Sequence, residues 1–174
     1  KGRTALAPAL RRSSALFPRP LLGGDVIGVR DVEQVGDLAH EVLFVGIAFA
    51  CLARAFLQDD FSVRLVAQHS NTLLPPWYKL SALWGNHEGS MLLWVFILAA
   101  WSAAVALFSA SLPRDMRARV LSVMGMIAVG FYLFVLFTSN PFARSFPDVP
   151  AEGRDLNPLL QDIGLVLHPP MLYL

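Results

Sequence analysis

The sequence predicts an all-α fold: a polytopic membrane helical bundle of three spans plus the start of a fourth, joined by ordered, proline-rich outer loops. Three observations carry this. Hydrophobic residues make up 55% of the 174-residue chain and charged residues only 16%, against about 25% in an average soluble chain. The runs Met91 to Leu112 and Val120 to Ser139 hold no charged residue, and each reaches the roughly 20 apolar residues a helix needs to cross a bilayer. The short loop between them, LPRDMRAR, carries Arg114, Arg117 and Arg119. A net charge of +1 leaves no bulk basic surface for nucleic acid.

Taken in order, residues 1–37 read as an unassigned basic leader. KGRTALAPALRRSSALFPRP has no acidic residue and is rich in Ser and Ala, a composition that suits a transit peptide or an unstructured cytoplasmic leader. Residues 38–174 read as one membrane domain. Its first span covers about 39–57: the stretch Val42–Ala53 is uninterrupted, and His40, Glu41 and Arg54 sit near the ends, where a long arginine can snorkel. The single cysteine, Cys51, lies inside this run and has no partner for a disulfide or CxxC pair. The second span covers 91–112 and the third 120–139. Met171-Leu-Tyr-Leu174 follows Pro169-Pro170 and reads as the opening of a fourth.

Orientation follows from the arginine loop, because short arginine-rich loops stay on the cytoplasmic side. Residues 58–90 and 140–170 are then outer segments of a multi-pass protein. In the first, Pro75-Pro76 biases the backbone to extended or turning geometry, so the segment is expected to run along the membrane surface rather than form a separate globule. YKLSALW reads as a short interfacial helix, with Leu80, Leu83 and Trp84 facing lipid or a partner helix.

The stretch LWGNHEGSMLLW places an ionisable pair at the entrance of the second span. Asn86 suits an N-cap, and Glu88 falls in the first turn, where a carboxylate meets the positive helix end. Gly85 and Gly89 allow close backbone approach. His87, Met91, Trp94 and Trp101 then share one helix face. The plain reading of this stripe is helix packing; the sharper one is a face for a flat, apolar, metal-bearing ring.

The second outer segment is punctuated by Pro141, Pro147, Pro150 and Pro158, which limit backbone freedom. Arg144 and Arg154 suit either salt bridges within the loop or bidentate pairing with ligand carboxylates. His168 precedes Pro169, so its backbone is expected to be extended, with Pro170 in the first turn of the next helix. A neutral imidazole there suits a polar border residue, a ligand for iron, zinc or copper, or an acid-base group near neutral pH. No HExxH, CxxC, CxxCH, GxSxG, Walker or GxGxxG pattern is present, so zinc-site spacing, covalently attached c-type haem and nucleotide loops have no support.

WGNHEGS (84–90), NPFAR (140–144) with DLNPLLQD (155–162), and HPPMLY (168–173), in that order, resemble the CcmF family of cytochrome c-type biogenesis haem lyase subunits. The resemblance covers roughly residues 50–174. It implies a bacterial inner-membrane protein that receives haem b from a haem chaperone at the periplasmic face. It also implies covalent attachment of that haem to the CxxCH motif of apocytochrome c, in concert with other maturation subunits. In that family His168 matches an axial ligand of the haem iron, while a second structural b-haem is held by parts not present in this chain. His87, Glu88, Trp84 and Arg144 are carried over as cofactor-site candidates, and no catalytic residue is assigned. The resemblance implies a haem lyase for the whole protein and no lyase activity for this stretch alone. A non-catalytic membrane scaffold that docks partner subunits is the alternative. A transport path is disfavoured, because the ionisable residues sit at span ends and in loops.

Overall fold

The computed structural model describes residues 22–109 and 111–173. Its elements are α1 (Leu22–Leu57), α2 (Arg64–His69), α3 (Pro76–Ala82), α4 (His87–Phe108), α5 (Arg114–Phe137), a 3-10 turn at Pro158–Gln161 and α6 (Ile163–Tyr173). The chain divides into two compact units, Lys1–Gln34 and Val35–Leu174. In the first, the described residues are the N-terminal turns of α1; of the expected leader, residues 1–21 lie outside the described residues. The second unit holds everything below.

Three helices are long and apolar enough to cross a membrane: Gln34–Leu57, His87–Phe108 and Arg114–Phe137. The chain is a multi-pass membrane protein. α4 begins at His87, directly after the expected Asn86 cap and ahead of the apolar run at Met91, and α5 begins at Arg114, ahead of the apolar run at Val120. Hydropathy marks the apolar part of a helix, whereas its cap marks the start, here Asn86 and Pro113. α5 buries only Leu121 and Ala128, so most of its apolar surface faces outward, as suits a helix solvated by lipid. Trp94 of α4 lies against Phe131 of α5 with ring centroids 4.5 Å apart. Phe49 of α1 stacks on Phe96 of α4 at 6.0 Å. The Tyr132 hydroxyl donates to Glu41 at 2.6 Å, tying α5 to α1.

The buried core sits at the end of the bundle away from the arginine loop. Leu52 and Phe56 of α1, Phe61, Val63 and Val66 after it, Leu83, Leu92 of α4 and Leu156 pack there. Residues 58–90 and 140–160 therefore form a cap with its own core, instead of merely lying along a surface. The physical reason is that α2 buries Leu65, Val66 and Ala67 and α3 buries Ala82 together with the paired Lys79, and a second segment lies over them. Burying each large side chain contributes about 1.5–3 kcal/mol; Phe56→Ala would cost about 3–5 kcal/mol.

Backbone hydrogen bonds stitch the two cap segments. Arg64 N–H donates to Ala143 O at 2.8 Å, Ser145 N–H to Ser62 O at 2.9 Å and Arg154 N–H to Ala67 O at 2.8 Å. Gly153 makes this approach possible: a Cβ there would stand 1.9 Å from Ser70 O. α1 ends in a left-handed residue, Asp59, with φ 54°. Asp60 N–H reaches back to Ala55 O at 3.0 Å and Asp59 N–H to Phe56 O at 3.4 Å, which is the Schellman pattern normally built on glycine.

Candidate functional site

The α3–α4 connection is built by the WGNHEGS stretch. Asn86 Oδ1 accepts from Gly89 N–H at 2.7 Å and its Nδ2 donates to Ala82 O at 2.6 Å. One side chain thus caps α4 and closes the end of α3. Gly89 must lack a side chain, since a Cβ would lie 1.6 Å from Leu83 O. Glu88 occupies the first turn of α4, half-buried, where the helix dipole favours its charge.

α6 departs from the sequence expectation. His168 is helical, and Pro169 and Pro170 lie inside the helix rather than at its start. The bias against helical geometry before proline is a preference, and tertiary partners override it. Here the turn rests on Trp84, whose Nε1–H donates to Val166 O at 2.8 Å. Ile163 and Val166 line a groove with Trp77, Tyr78 and Ser81 of α3. His168 lies on the other side of α6, sharing its face with Leu165, Met171 and Leu172, all exposed. The His168 side chain is exposed.

The other candidates fall into separate places. His87 Nδ1 lies 3.0 Å from Ser139 Oγ, and its ring meets Phe134 edge-on at 5.9 Å. With Met91, Ile127, Gly130 and Phe131 it lines a groove of about 450 Å³ between α4 and α5. The upper part of the His87–Met91–Trp94 stripe is therefore taken up by α5, while Trp101 stays 50% exposed. Arg144 Nη1 pairs with Asp60 at 3.3 Å and donates to Ser62 Oγ. Trp84 is joined to the helix of His168 by its indole; no hydrogen bond among the described residues links His87, Glu88 or Arg144 to His168.

Two carboxylates of the cap are electrostatically tuned. The Ser62 hydroxyl, then the Ser62 amide and Arg144, hold Asp60 below its ordinary value against some burial. The Thr72 amide, then its hydroxyl, do the same for Glu152. Among the described residues no group of three or more His, Cys, Asp or Glu stands ready to hold a bare metal ion.

Sequence reasoning missed two elements. Lys79 is buried, and its ammonium grips both oxygens of Asp59 at 2.6 and 2.5 Å. Nothing in YKLSALW separates this lysine from a solvated one. The Trp84–Val166 bond was also missed, although Pro170 supplied a signal: a proline leaves the carbonyl four residues earlier without its helical donor.

A multi-pass helical membrane protein, with an ordered cap that presents a histidine on a proline-broken helix, is the class defined by fold and site. The chain belongs to the cytochrome c assembly protein family, whose model matches residues 84–174, the stretch from Trp84 through α6. It is 51% identical over 178 residues to the cytochrome c-type biogenesis protein CcmF of Haemophilus influenzae, covering 99% of this chain and 27% of that protein. The CcmF protein of Pseudomonas fluorescens is 61% identical over 131 residues, 75% of this chain and 20% of the relative. That of Escherichia coli is 58% identical over 135 residues, 76% of this chain and 21% of the relative. The chain thus spans about a quarter or less of the length of these relatives. No solved structure matches it significantly. Family membership places the chain in cytochrome c biogenesis.

Proposed function

We propose that the protein carrying this stretch binds haem at the periplasmic face of the bacterial inner membrane. His168 acts as an axial ligand of the iron, and the protein helps attach the haem to the CxxCH motif of apocytochrome c. The observation that carries the reading is the placement of His168: an exposed imidazole on the exposed apolar face of Leu165, Met171 and Leu172, with no hydrogen-bond partner among the described residues.

Haem is the substrate here. It supplies vinyl groups, across which a cysteine S–H adds, forming one C–S and one C–H bond with no net gain or loss of electrons. The work of this chain is binding and orientation: His168 offers a nitrogen donor, and the neighbouring side chains offer apolar contact. Arg144, His87, Glu88 and Trp84 belong to the surrounding cap, where Arg144, paired with Asp60, is a candidate cation for carboxylates of the substrate. A haem chaperone, apocytochrome c and other maturation subunits are the partners, and a second, structural b-haem is assigned to parts outside this chain. Family membership and the similarity to CcmF proteins support the biogenesis role.

In the full-length protein, His168→Ala should remove the absorbance of the substrate haem, leaving that of the structural b-haem, and abolish cytochrome c maturation, with partial recovery on adding imidazole. Normal maturation by the Ala variant overturns the ligand assignment. A scaffold that docks partners through the cap is the second reading, favoured by Leu73 and Trp77, which are 92% and 79% exposed there. It predicts that His168→Ala matures cytochrome c normally, while Trp77→Ala fails.

A further inference from the structure

We infer that Trp84 is a positioning residue for His168, acting through a hydrogen bond that replaces one Pro170 cannot make. The positioning role rests on His168 being the ligating imidazole. In an α-helix the carbonyl of residue 166 accepts from the N–H of residue 170. Pro170 has no N–H, and its ring presses on that carbonyl. An unpaired carbonyl near the membrane is costly, and two adjacent prolines form a natural kink. Trp84 Nε1–H donates to Val166 O at 2.8 Å. The indole has a single donor and no acceptor, so this bond uses all its polar capacity.

The other end of the bond is firmly held. Asn86, two residues on, closes the end of α3 and caps α4. Gly85 lies so close to Leu160 of the 3-10 turn before α6 that a Cβ would stand 2.6 Å from Leu160 Cδ1. Trp84 therefore belongs to a constrained stretch, and its bond fastens to that stretch the turn of α6 from Val166 to Pro170. His168 lies midway in this turn, on the side away from Trp84. Trp84 thus acts from behind the imidazole, closing the hinge that Pro169-Pro170 opens and setting the direction of the ring without lying on its ligand face.

The test uses full-length protein, supplied with haem, in four variants: Trp84→Phe, Pro170→Ala, the two combined, and His168→Ala. Two measurements are made: hydrogen exchange of the peptide covering 163–173, and the visible difference spectrum on adding haem, which cancels the structural b-haem and distinguishes imidazole-ligated from unligated haem. Losing one neutral hydrogen bond should speed exchange in Trp84→Phe about three- to tenfold, and the spectrum should lose part of its imidazole-ligated form. Pro170→Ala returns a backbone donor to Val166 O, so the combined variant should recover in both measurements. A combined variant as disturbed as Trp84→Phe, or an unchanged Trp84→Phe spectrum, overturns the inference. If His168→Ala leaves the spectrum unchanged, the ligand reading fails and takes the positioning role with it. Additive exchange with a spectrum lost in His168→Ala overturns the hinge alone.

Discussion

Glu152 holds Thr72 at two points. Its Oε1 accepts from the Thr72 amide at 2.9 Å and its Oε2 from the Thr72 hydroxyl at 2.8 Å. This contact joins two cap segments 80 residues apart in sequence. It sits beside the Asn71–Asp155 hydrogen bond and the close approach of Gly153 to Ser70.

The contact should be pH-dependent. The Thr72 amide and hydroxyl hold the Glu152 carboxyl below its ordinary value of 4.5, and Ser62 with Arg144 lowers Asp60 from 3.8. A depressed folded value means the stabilisation is fully present above the ordinary value and is lost as pH falls through the lowered one. Hydrogen exchange around residues 70–73 and 150–155 should therefore rise on acidification below about pH 4.5. Glu152→Gln should flatten that response while leaving a weaker clamp at pH 7. An unchanged pH profile in the Gln variant would remove the assignment.

Lys79 and Asp59 form the second expected point of failure. Their side chains are 7% and 20% exposed, and Asp59 holds a left-handed backbone that costs a non-glycine residue energy. Breaking a buried pair from one side leaves a charge without its partner, at about 3–5 kcal/mol. Lys79→Ala should lower thermal stability in detergent by that order. Combining it with Asp59→Gly should recover part of the loss, since glycine relaxes the turn and removes the stranded carboxylate. Equal stability of Lys79→Ala and the parent would rule the pair out as a fastener.

Gly89 and Gly153 should tolerate no side chain. An added Cβ would stand 1.6 Å from Leu83 O and 1.9 Å from Ser70 O, both backbone atoms. Gly89→Ala or Gly153→Ala should fail to accumulate in membranes. Gly125→Ala and Gly130→Ala, whose added Cβ would meet nothing within 4 Å, should accumulate normally. Membrane immunoblots of the four variants suffice, and normal levels of Gly153→Ala would refute the cap geometry.

The orientation is testable by labelling. In a Cys51→Ser background, Leu73→Cys, on the exposed cap, should react with a membrane-impermeant maleimide in intact cells with the outer membrane opened. Asp115→Cys, in the arginine loop, should react only after the inner membrane is permeabilised. The reverse pattern would invert the topology and place His168 on the wrong side for the proposed role.

Much of the bundle was legible in residues 91–139, because uncharged runs and an arginine loop leave few alternatives to two spans and a tight connection. The Asn86 cap was legible for a similar reason: a short polar residue before a helical run has one strong local use. The cap core was not. Phe61, Val66, Leu83 and Leu156 are unremarkable in sequence, and only their convergence buries them. Arg144 could be read as a ligand contact or a loop salt bridge, and the structure places it on Asp60.

By itself, then, the order of residues determined a membrane helix bundle, its caps and its family motifs. Those depend on local hydropathy, spacing and turn chemistry, which act within one turn or one span. Only the tertiary structure decided that Lys79 is buried on Asp59, that Glu152 closes on Thr72, and that His168 lies within a helix steadied by Trp84. Each of these joins groups at least 20 residues apart, and a preference such as that of the residue before proline yields when a distant donor satisfies the carbonyl left open.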